Sequence, residues 1–213
     1  MSPESMPRLS RREQTRQAAR QRIMDEGRKL FAEKGYDAAT MRDVAKATQY
    51  TPSALYYHFK DKAELMHAIC TEDFLGLTHR FQAVMTSANP LDNVKNLGRA
   101  YAEFALDYPN HYRLMFMTRH PLGPTPKDQS RMGDPEQDAY ALLHRLVALA
   151  MEQDLLRPDL TDAHLVAQTF WGGVHGLITL QLDKGCDHWV PWTDIHARID
   201  LMCDVLSRGV ERA

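Results

Sequence analysis

The sequence predicts an all-α protein, on three observations. Apolar residues recur at helical spacing in one segment after another. No stretch alternates apolar and polar residues between hairpin turns, as a strand would. The breaks between periodic segments fall at Gly, Pro, Asn, Asp, Ser or Thr residues placed to start or stop helices. With 213 residues and 44% hydrophobic content, the chain is long enough to bury a sizeable core in one or two domains.

The first strongly periodic helix carries Ile23, Gly27, Leu30 and Phe31 on its inner face and ends at Gly35. Ahead of it lies a basic stretch, Arg8, Arg11, Arg12, Arg16, Arg20 and Arg22. Such a stretch either follows phosphates as a basic arm or is a solvated helix face. Arg8 is read as solvated terminus, and Arg16 and Arg20 fit either.

Residues Thr40 to Lys62, TMRDVAKATQYTPSALYYHFKDK, read as two very short helices joined by a tight turn. Thr40 and Asp43 form a capping-box pattern, with the carboxylate at the positive end of the helix dipole. Met41, Val44 and Ala45 supply the apolar face. Thr51 caps the second helix and Pro52 occupies its first position, where a missing N–H costs nothing. Leu55 and Phe59 point inward, which leaves Pro52, Ser53, Tyr56, Tyr57 and His58 outward or sideways. Asp61 and Glu64 open a third helix with a second box pattern. A short second helix of this kind has the dimensions that enter a DNA major groove while its neighbour crosses the phosphates. Tyr, His and Lys side chains suit phosphate oxygens.

Formal net charge is −2, but it is unevenly spread. Residues 1–62 hold 13 Lys/Arg against 8 Asp/Glu, and residues 63–213 hold 13 against 20. The basic end coincides with the helix-turn-helix, as expected of a DNA-binding part joined to an acidic body. Cys70, Cys186 and Cys203 have no CxxC spacing and read as free thiols in a reducing compartment. No apolar leader and no charge-free membrane-length segment occurs in the sequence, so the expected location is cytoplasmic and away from the membrane.

Residues 20 to 66, above all ALYYHFKDKAELM from Ala54 to Met66 after IMDEGRKLFAEKGYDAAT from Ile23, resemble the DNA-binding domain of the TetR family of transcriptional regulators. The resemblance implies domains at 1–62, a basic arm and helix-turn-helix, and 63–213, a helical ligand-binding and dimerising body. Matched residue by residue, it implies phosphate contacts from Thr40, Thr51, Tyr57, His58 and Lys62, and base contacts from Pro52, Ser53 and Tyr56. The partners it implies are double-stranded DNA with a palindromic operator, a small-molecule effector, and a second copy of the chain in a homodimer. Two positions depart from the family pattern. Gln49 replaces the usual turn Gly, a residue free to adopt a left-handed conformation, and Pro52 stands where many members have a cationic or polar residue.

The body continues as helices at about 61–87, 89–108, 111–118, 134–154, 161–183 and 193–212. Pro109 breaks one of them, and 120–133, rich in Pro and Gly, is a loop suited to cover a cavity. The penultimate helix is unusual at its centre, where Gly172, Gly173 and Gly176 lie among Phe170, Trp171 and His175. Each glycine costs about 1 kcal/mol against Ala there, which implies close helix approach or room for a ligand. The run W-x-x-V-H-G-L from Trp171 also resembles the Trp-His-Gly (WHG) group of TetR-family C-terminal domains. In the last helix Ile195, Ile199, Met202, Leu206 and Val210 form a stripe, widened by Leu201 and Val205, suited to a dimer interface.

No histidine pairing of HxxxH or HExxH type, no nucleophile elbow and no phosphate loop is present, so neither a metal, a cofactor nor a catalytic residue is assigned. The aromatics instead suggest a mostly apolar ligand site formed by Tyr101, Phe104, Tyr108, Tyr112, Phe116, Trp171 and His175, with Met115 as filler. The function expected is a ligand-responsive repressor. A constitutive DNA-binding or protein-interaction module, and an enzyme with a pocket around His175, are the competing readings.

Overall fold

The computed structural model describes residues 10–119, 121 and 123–212. Of the residues singled out above, Arg8 and His120 lie outside them.

Helix starts follow the side-chain caps. Helix α1 (Arg11–Lys34) opens on a Ser10–Glu13 capping box and stops at Gly35, whose φ of 80° suits glycine. Helix α2 (Met41–Thr48) opens on the Thr40–Asp43 box and α3 (Pro52–His58) on Thr51, which accepts from Ala54 N. The turn between them places Gln49 at φ 61°, ψ 27°, the left-handed conformation implied by its replacing a Gly. Helix α4 (Lys62–Ala83) is capped by Asp61, whose carboxylate accepts from Glu64 N at 2.8 Å. The Glu64 carboxylate reaches back to Lys60 N instead of Asp61 N, so the second box is only half formed.

In the body, α5 (Pro90–Asp107) starts at Asn89 as expected, whereas three other boundaries differ. Helix α4 ends at Ala83, short of 87. The segment expected as one helix over 111–118 is a single α-turn, α6 (Pro109–Tyr112), running into a π-helical turn at Arg113–Met117. The 120–133 loop holds a short helix, α7 (Pro126–Gln129), and α8 (Ala139–Glu152) begins five residues later than 134. The reason is the Asp138 carboxylate, which accepts from Tyr140 N and Ala141 N and so fixes the start, while Asp134 O closes a preceding turn on Gln137 N and Asp138 N. Helices α9 (Ala163–Lys184) and α10 (Ile195–Val210) complete the chain.

Two apolar cores result. The first joins α1, α2 and α3 to the N-terminal half of α4 through Ile23, Phe31, Val44, Leu55, Phe59, Leu65 and Ile69. The second surrounds α5 with α8, α9, α10 and the C-terminal half of α4. Helix α4 therefore belongs to both. Leu114, from the π-turn, is buried in the first core, while its neighbour Met115 is buried in the second. Helices α9 and α10 meet closely at Gly173, where a Cβ would lie 2.9 Å from Leu206 Cδ1. The α10 stripe of Ile195, Ile199, Met202 and Leu206 faces inward onto this core, and Leu201 and Val205 are left outside at 64% and 56% exposure.

A buried ion pair ties the two cores together. Arg28 of α1 binds Asp73 of α4 through two N–H donors at 2.9 and 3.2 Å, both side chains nearly inaccessible. His111 of α6 places Nδ1 3.1 Å from the same carboxylate, and Glu72 and Asp25 complete the shell around the guanidinium.

Gln49 is exposed and its side chain makes no hydrogen bond among the described residues, so only its backbone conformation is strained. Gln49→Gly is expected to raise stability by about 0.5–1 kcal/mol in urea unfolding, with the slope unchanged.

Candidate nucleic-acid interface and buried chamber

Helix α3 is anchored by Leu55 and Phe59, both fully buried, which fixes what its other faces present. Thr51, Pro52, Ser53, Tyr56 and Tyr57 are exposed, with Tyr57 at 72%, unusually high for a tyrosine that could have been buried. Thr40 is exposed at the start of α2. The Tyr57 ring stands edge-on to His58 with centroids 5.3 Å apart. Burial, and then the positive charges of Arg20 and Arg16, hold the His58 imidazole below its ordinary pKa.

Two basic side chains hold this surface in place. Arg20, left open between arm and helix face in the sequence, donates to His58 O at 2.8 Å and lies over the Phe59 ring at 4.0 Å. It thus closes the C-terminal end of α3 from α1. Lys62 donates to Tyr36 O, Asp37 O and Ala39 O at 2.7 to 3.2 Å, and its ammonium sits 4.3 Å from the Tyr36 ring centre. All three of its N–H bonds are engaged within the chain, so Lys62 fixes the loop that delivers Thr40. Neither role was readable from spacing, since both partners are backbone carbonyls distant in sequence.

In the body, α4, α5, α8 and α9 and the π-turn line a half-open apolar chamber of about 120 Å³. Of the seven residues named for a ligand site, Tyr101, Phe116 and Trp171 line it. Tyr112 and His175 stand behind its wall. Both tyrosine hydroxyls lie on His175 Nδ1, at 3.0 Å for Tyr101 and 2.5 Å for Tyr112, and Trp171 Nε1 donates to the Tyr101 oxygen at 3.2 Å. Burial holds His175 below its ordinary pKa, which favours a neutral ring whose Nδ1 accepts from the nearer Tyr112 hydroxyl, while the Tyr101 hydroxyl lies 3.3 Å from the Tyr112 oxygen, to which it donates.

Phe104 and Tyr108 are elsewhere. Phe104 lies one turn further along α5 and Tyr108 just past its end, their rings tilted against each other with centroids 5.8 Å apart under the Arg80 guanidinium, and Tyr108 is 41% exposed. The sequence missed much of the lining: Phe74, Leu77, Phe81, Val94, Leu97, Tyr140, Leu143 and Phe170. Most of these are aliphatic or aromatic members of ordinary inward stripes, and no sequence signal separates a wall from a core contact.

A second cavity of about 450 Å³ adjoins the chamber, sharing Phe74, Asp138 and Ala139 with it. The 123–132 segment covers it with Gly123, Pro124, Asp128, Arg131 and Met132, joined to α4 by the His67–Asp128 pair at 3.0 Å. Cys70 and Met115 also reach this wall. The Cys70 thiol is pushed up to about 12 and that of Cys203 to about 11 by burial, so neither is a ready thiolate.

The Tyr101–Trp171–His175–Tyr112 cluster gives a direct expectation. Tyr101→Phe removes the acceptor of the Trp171 indole N–H and a hydroxyl that donates to the Tyr112 oxygen, and should cost about 1–2 kcal/mol in chemical denaturation with the helix content retained.

Comparison with known proteins places this architecture. Residues 23–69 match the family of bacterial regulatory proteins of the tetR type, and residues 94–206 match the tetracyclin repressor-like C-terminal domain. The HTH-type transcriptional repressor Rv1474c of Mycobacterium tuberculosis is 34% identical over 99 residues, 46% of this chain and 50% of that protein. IcaR of Staphylococcus aureus strain Newman, the negative transcriptional regulator of the biofilm operon icaADBC, is 30% identical over 112 residues, 51% of this chain and 56% of that protein. The chain thus spans about half the length of these two curated relatives. A TetR family transcription regulator from Marinobacter aquaeolei VT8 shares the fold with a TM-score of 0.73 at 18% identity, covering 94% of this chain and all of that one. A protein of unknown function from Rhodococcus sp. RHA1 does so with a TM-score of 0.74 at 20% identity over the whole of both chains. With a family match at each end, the C-terminal one alone covering more than half of its residues, the chain belongs to the TetR family.

Proposed function

We propose that this chain is a ligand-responsive transcriptional repressor that binds a palindromic operator in double-stranded DNA as a homodimer and is released by a small, largely apolar molecule. The observation that carries the DNA-binding half is α3, a seven-residue helix whose apolar side is fully buried and whose Pro52, Ser53, Tyr56 and Tyr57 are exposed. In this reading Ser53, Tyr56 and Pro52 meet base edges. Tyr57, His58, Thr40 and Thr51 meet phosphates, and Lys62 acts by holding the Thr40 loop, with its charge adding to the local field. The repressor sign is supported by the names of the relatives. No helix among the described residues is long and apolar enough to cross a membrane, and a cytoplasmic location suits a chromosome-binding protein.

A homodimer is supported by what α9 and α10 leave uncovered. Leu165, Gly172, Gly176 and Leu180 line one side of α9, Leu201 and Val205 one side of α10, and among the described residues nothing lies within 4 Å of a Cβ placed on either glycine. Two recognition helices on a two-fold axis would read a palindrome that one short helix cannot. Leu201→Glu with Val205→Glu is expected to yield monomers in sedimentation analysis, keep the fold, and weaken operator binding by at least about tenfold.

With an operator selected from random duplexes, Tyr57→Phe should weaken binding on all sequences alike, whereas Tyr56→Ala should change which bases are preferred. Lys62→Ala should weaken binding and lower thermal stability together, because its carbonyl partners lose their donor. Unchanged affinity in all three variants would reject the interface. Titrating the operator complex with a broad panel of apolar compounds tests the effector. No release by any compound would favour a constitutive DNA-binding module, and turnover lost in His175→Ala with DNA binding intact would favour an enzyme.

A further inference from the structure

We propose that Arg12 and Arg16, on two turns of α1 that pack on nothing, hold phosphates of a DNA strand lying beside the recognition helix and so widen the contact beyond α2 and α3. The inference rests on the chain binding DNA and goes beyond the contacts assigned above, which begin at Thr40.

No residue of α1 before Ile23 is buried, and Arg11 to Ala18 are all exposed. A helix polar on every side gains no stability from tertiary packing. What keeps these turns helical is local: the Ser10–Glu13 capping box, and good helix formers at every position but Thr15. The first core is complete without them. Their charges are nonetheless ordered. Arg12, Arg16 and Arg20 recur at every fourth residue and so share one stripe. Like charges at this spacing repel and weaken an isolated helix, a cost that a polyanion alongside would reverse.

The stripe leads to the recognition helix. Its last member, Arg20, is committed to His58 O and the Phe59 ring. Arg16, one turn back, is close enough that its charge acts with that of Arg20 on the His58 imidazole, next to the exposed Tyr57. At a rise of about 1.5 Å per residue, Arg16 and Arg12 stand about 6 and 12 Å beyond Arg20 along the axis, a span over which a strand with one charge per 3.4 Å or so presents several phosphates. The nearby carboxylates are engaged elsewhere. Glu13, whose field Arg16 shares, accepts from Ser10 N at 2.8 Å. Asp25 and Glu72 accept from Arg28 and Gln21. Residues 11–18 thus present three arginines against one glutamate. A guanidinium fork matches phosphate oxygens and reads no base, so the contact adds affinity on every sequence alike.

Titration of operator and random duplexes with the full chain, by fluorescence anisotropy over a range of salt, tests the assignment. Arg12→Gln with Arg16→Gln is expected to reduce the slope of log K against log salt by about one unit for each arginine in each bound copy. Affinity should fall at least about tenfold, by the same factor on both duplexes, with Tm unchanged because these turns bury nothing. Arg12→Lys with Arg16→Lys should keep most of the slope. Neutral methylphosphonates placed singly along the operator locate the contact: at one or more positions they should weaken the unaltered chain severalfold and leave the Gln variant as it was. An unchanged slope overturns the proposal, as does a loss confined to the operator or a pattern of methylphosphonate losses identical in both proteins. An affinity loss accompanied by a fall in Tm assigns the two arginines to folding and overturns it as well. Failure of the unaltered chain to bind any duplex sinks the DNA-binding reading itself.

Discussion

One short segment, Pro109–Met117, contributes to both hydrophobic cores, Leu114 to the first and Tyr112, Met115 and Phe116 to the second, and the rest of the structure is arranged around that constraint. His111 meets the Asp73 carboxylate beside Arg28, and Leu114 is buried among the side chains of the DNA-binding core. Tyr112 and Phe116, on the same short segment, form the back and wall of the chamber. The π-turn makes this alternation possible by widening the helix by one residue per turn, a feature often found at functional positions. Its ends are secured by Thr118 Oγ1 donating to Arg113 O at 3.1 Å and by the Arg113 guanidinium donating to Leu182 O of α9 at 2.9 Å. Close-packed interiors do not absorb displacements locally. In the effector reading proposed above, a molecule that moves Phe116 would displace the π-turn that carries Leu114 into the first core.

The Arg28–Asp73 pair gives this contact its rigidity. Both groups are buried, and removing Arg28 leaves the Asp73 carboxylate with His111 alone, at a cost of about 3–5 kcal/mol, whereas without Asp73 the guanidinium keeps Glu72 and Asp25; the intact pair adds little net stability over apolar residues. Its value is geometric. It fixes the angle between α1, which carries the Arg20 clasp on α3, and α4, which forms part of the chamber through Phe74, Leu77 and Phe81. The orientation of the recognition helix is thus set by three cations acting on fixed acceptors: Arg28 on carboxylates, and Arg20 and Lys62 on backbone carbonyls. Arg and Lys at these places are structural before they are electrostatic toward any partner.

Much of the fold was legible because helix starts are written locally. Thr40, Thr51, Asp61 and Asn89 each cap the helix that follows, whereas the Ser10 box that starts α1 was not read, and the helix-turn-helix was readable down to the strained conformation of Gln49. Asp138 was passed over in favour of Asp134 because both stand before a periodic run, and only the hydrogen bonds separate them. The π-turn left no local mark, since Leu114, Met115 and Phe116 read equally well as one helix face. The ligand site was half legible. Trp171, Tyr101 and His175 stood out as polar aromatics, whereas Leu97 or Leu143 on the wall is indistinguishable in sequence from core, and Phe104 shares a helix with Tyr101 without sharing its destination.

The central claim, that the chamber acts on the recognition helix through Phe116 and Leu114, is tested most directly by a double-mutant cycle on operator affinity. Phe116→Ala enlarges the chamber, and Leu114→Ala loosens the contact with the DNA-binding core. The account predicts that Phe116→Ala changes operator Kd severalfold in the otherwise unaltered chain and that most of this change disappears in the Leu114→Ala background, a coupling of about 0.5–1 kcal/mol or more. Equal effects of Phe116→Ala in both backgrounds, or no effect in either, would contradict it.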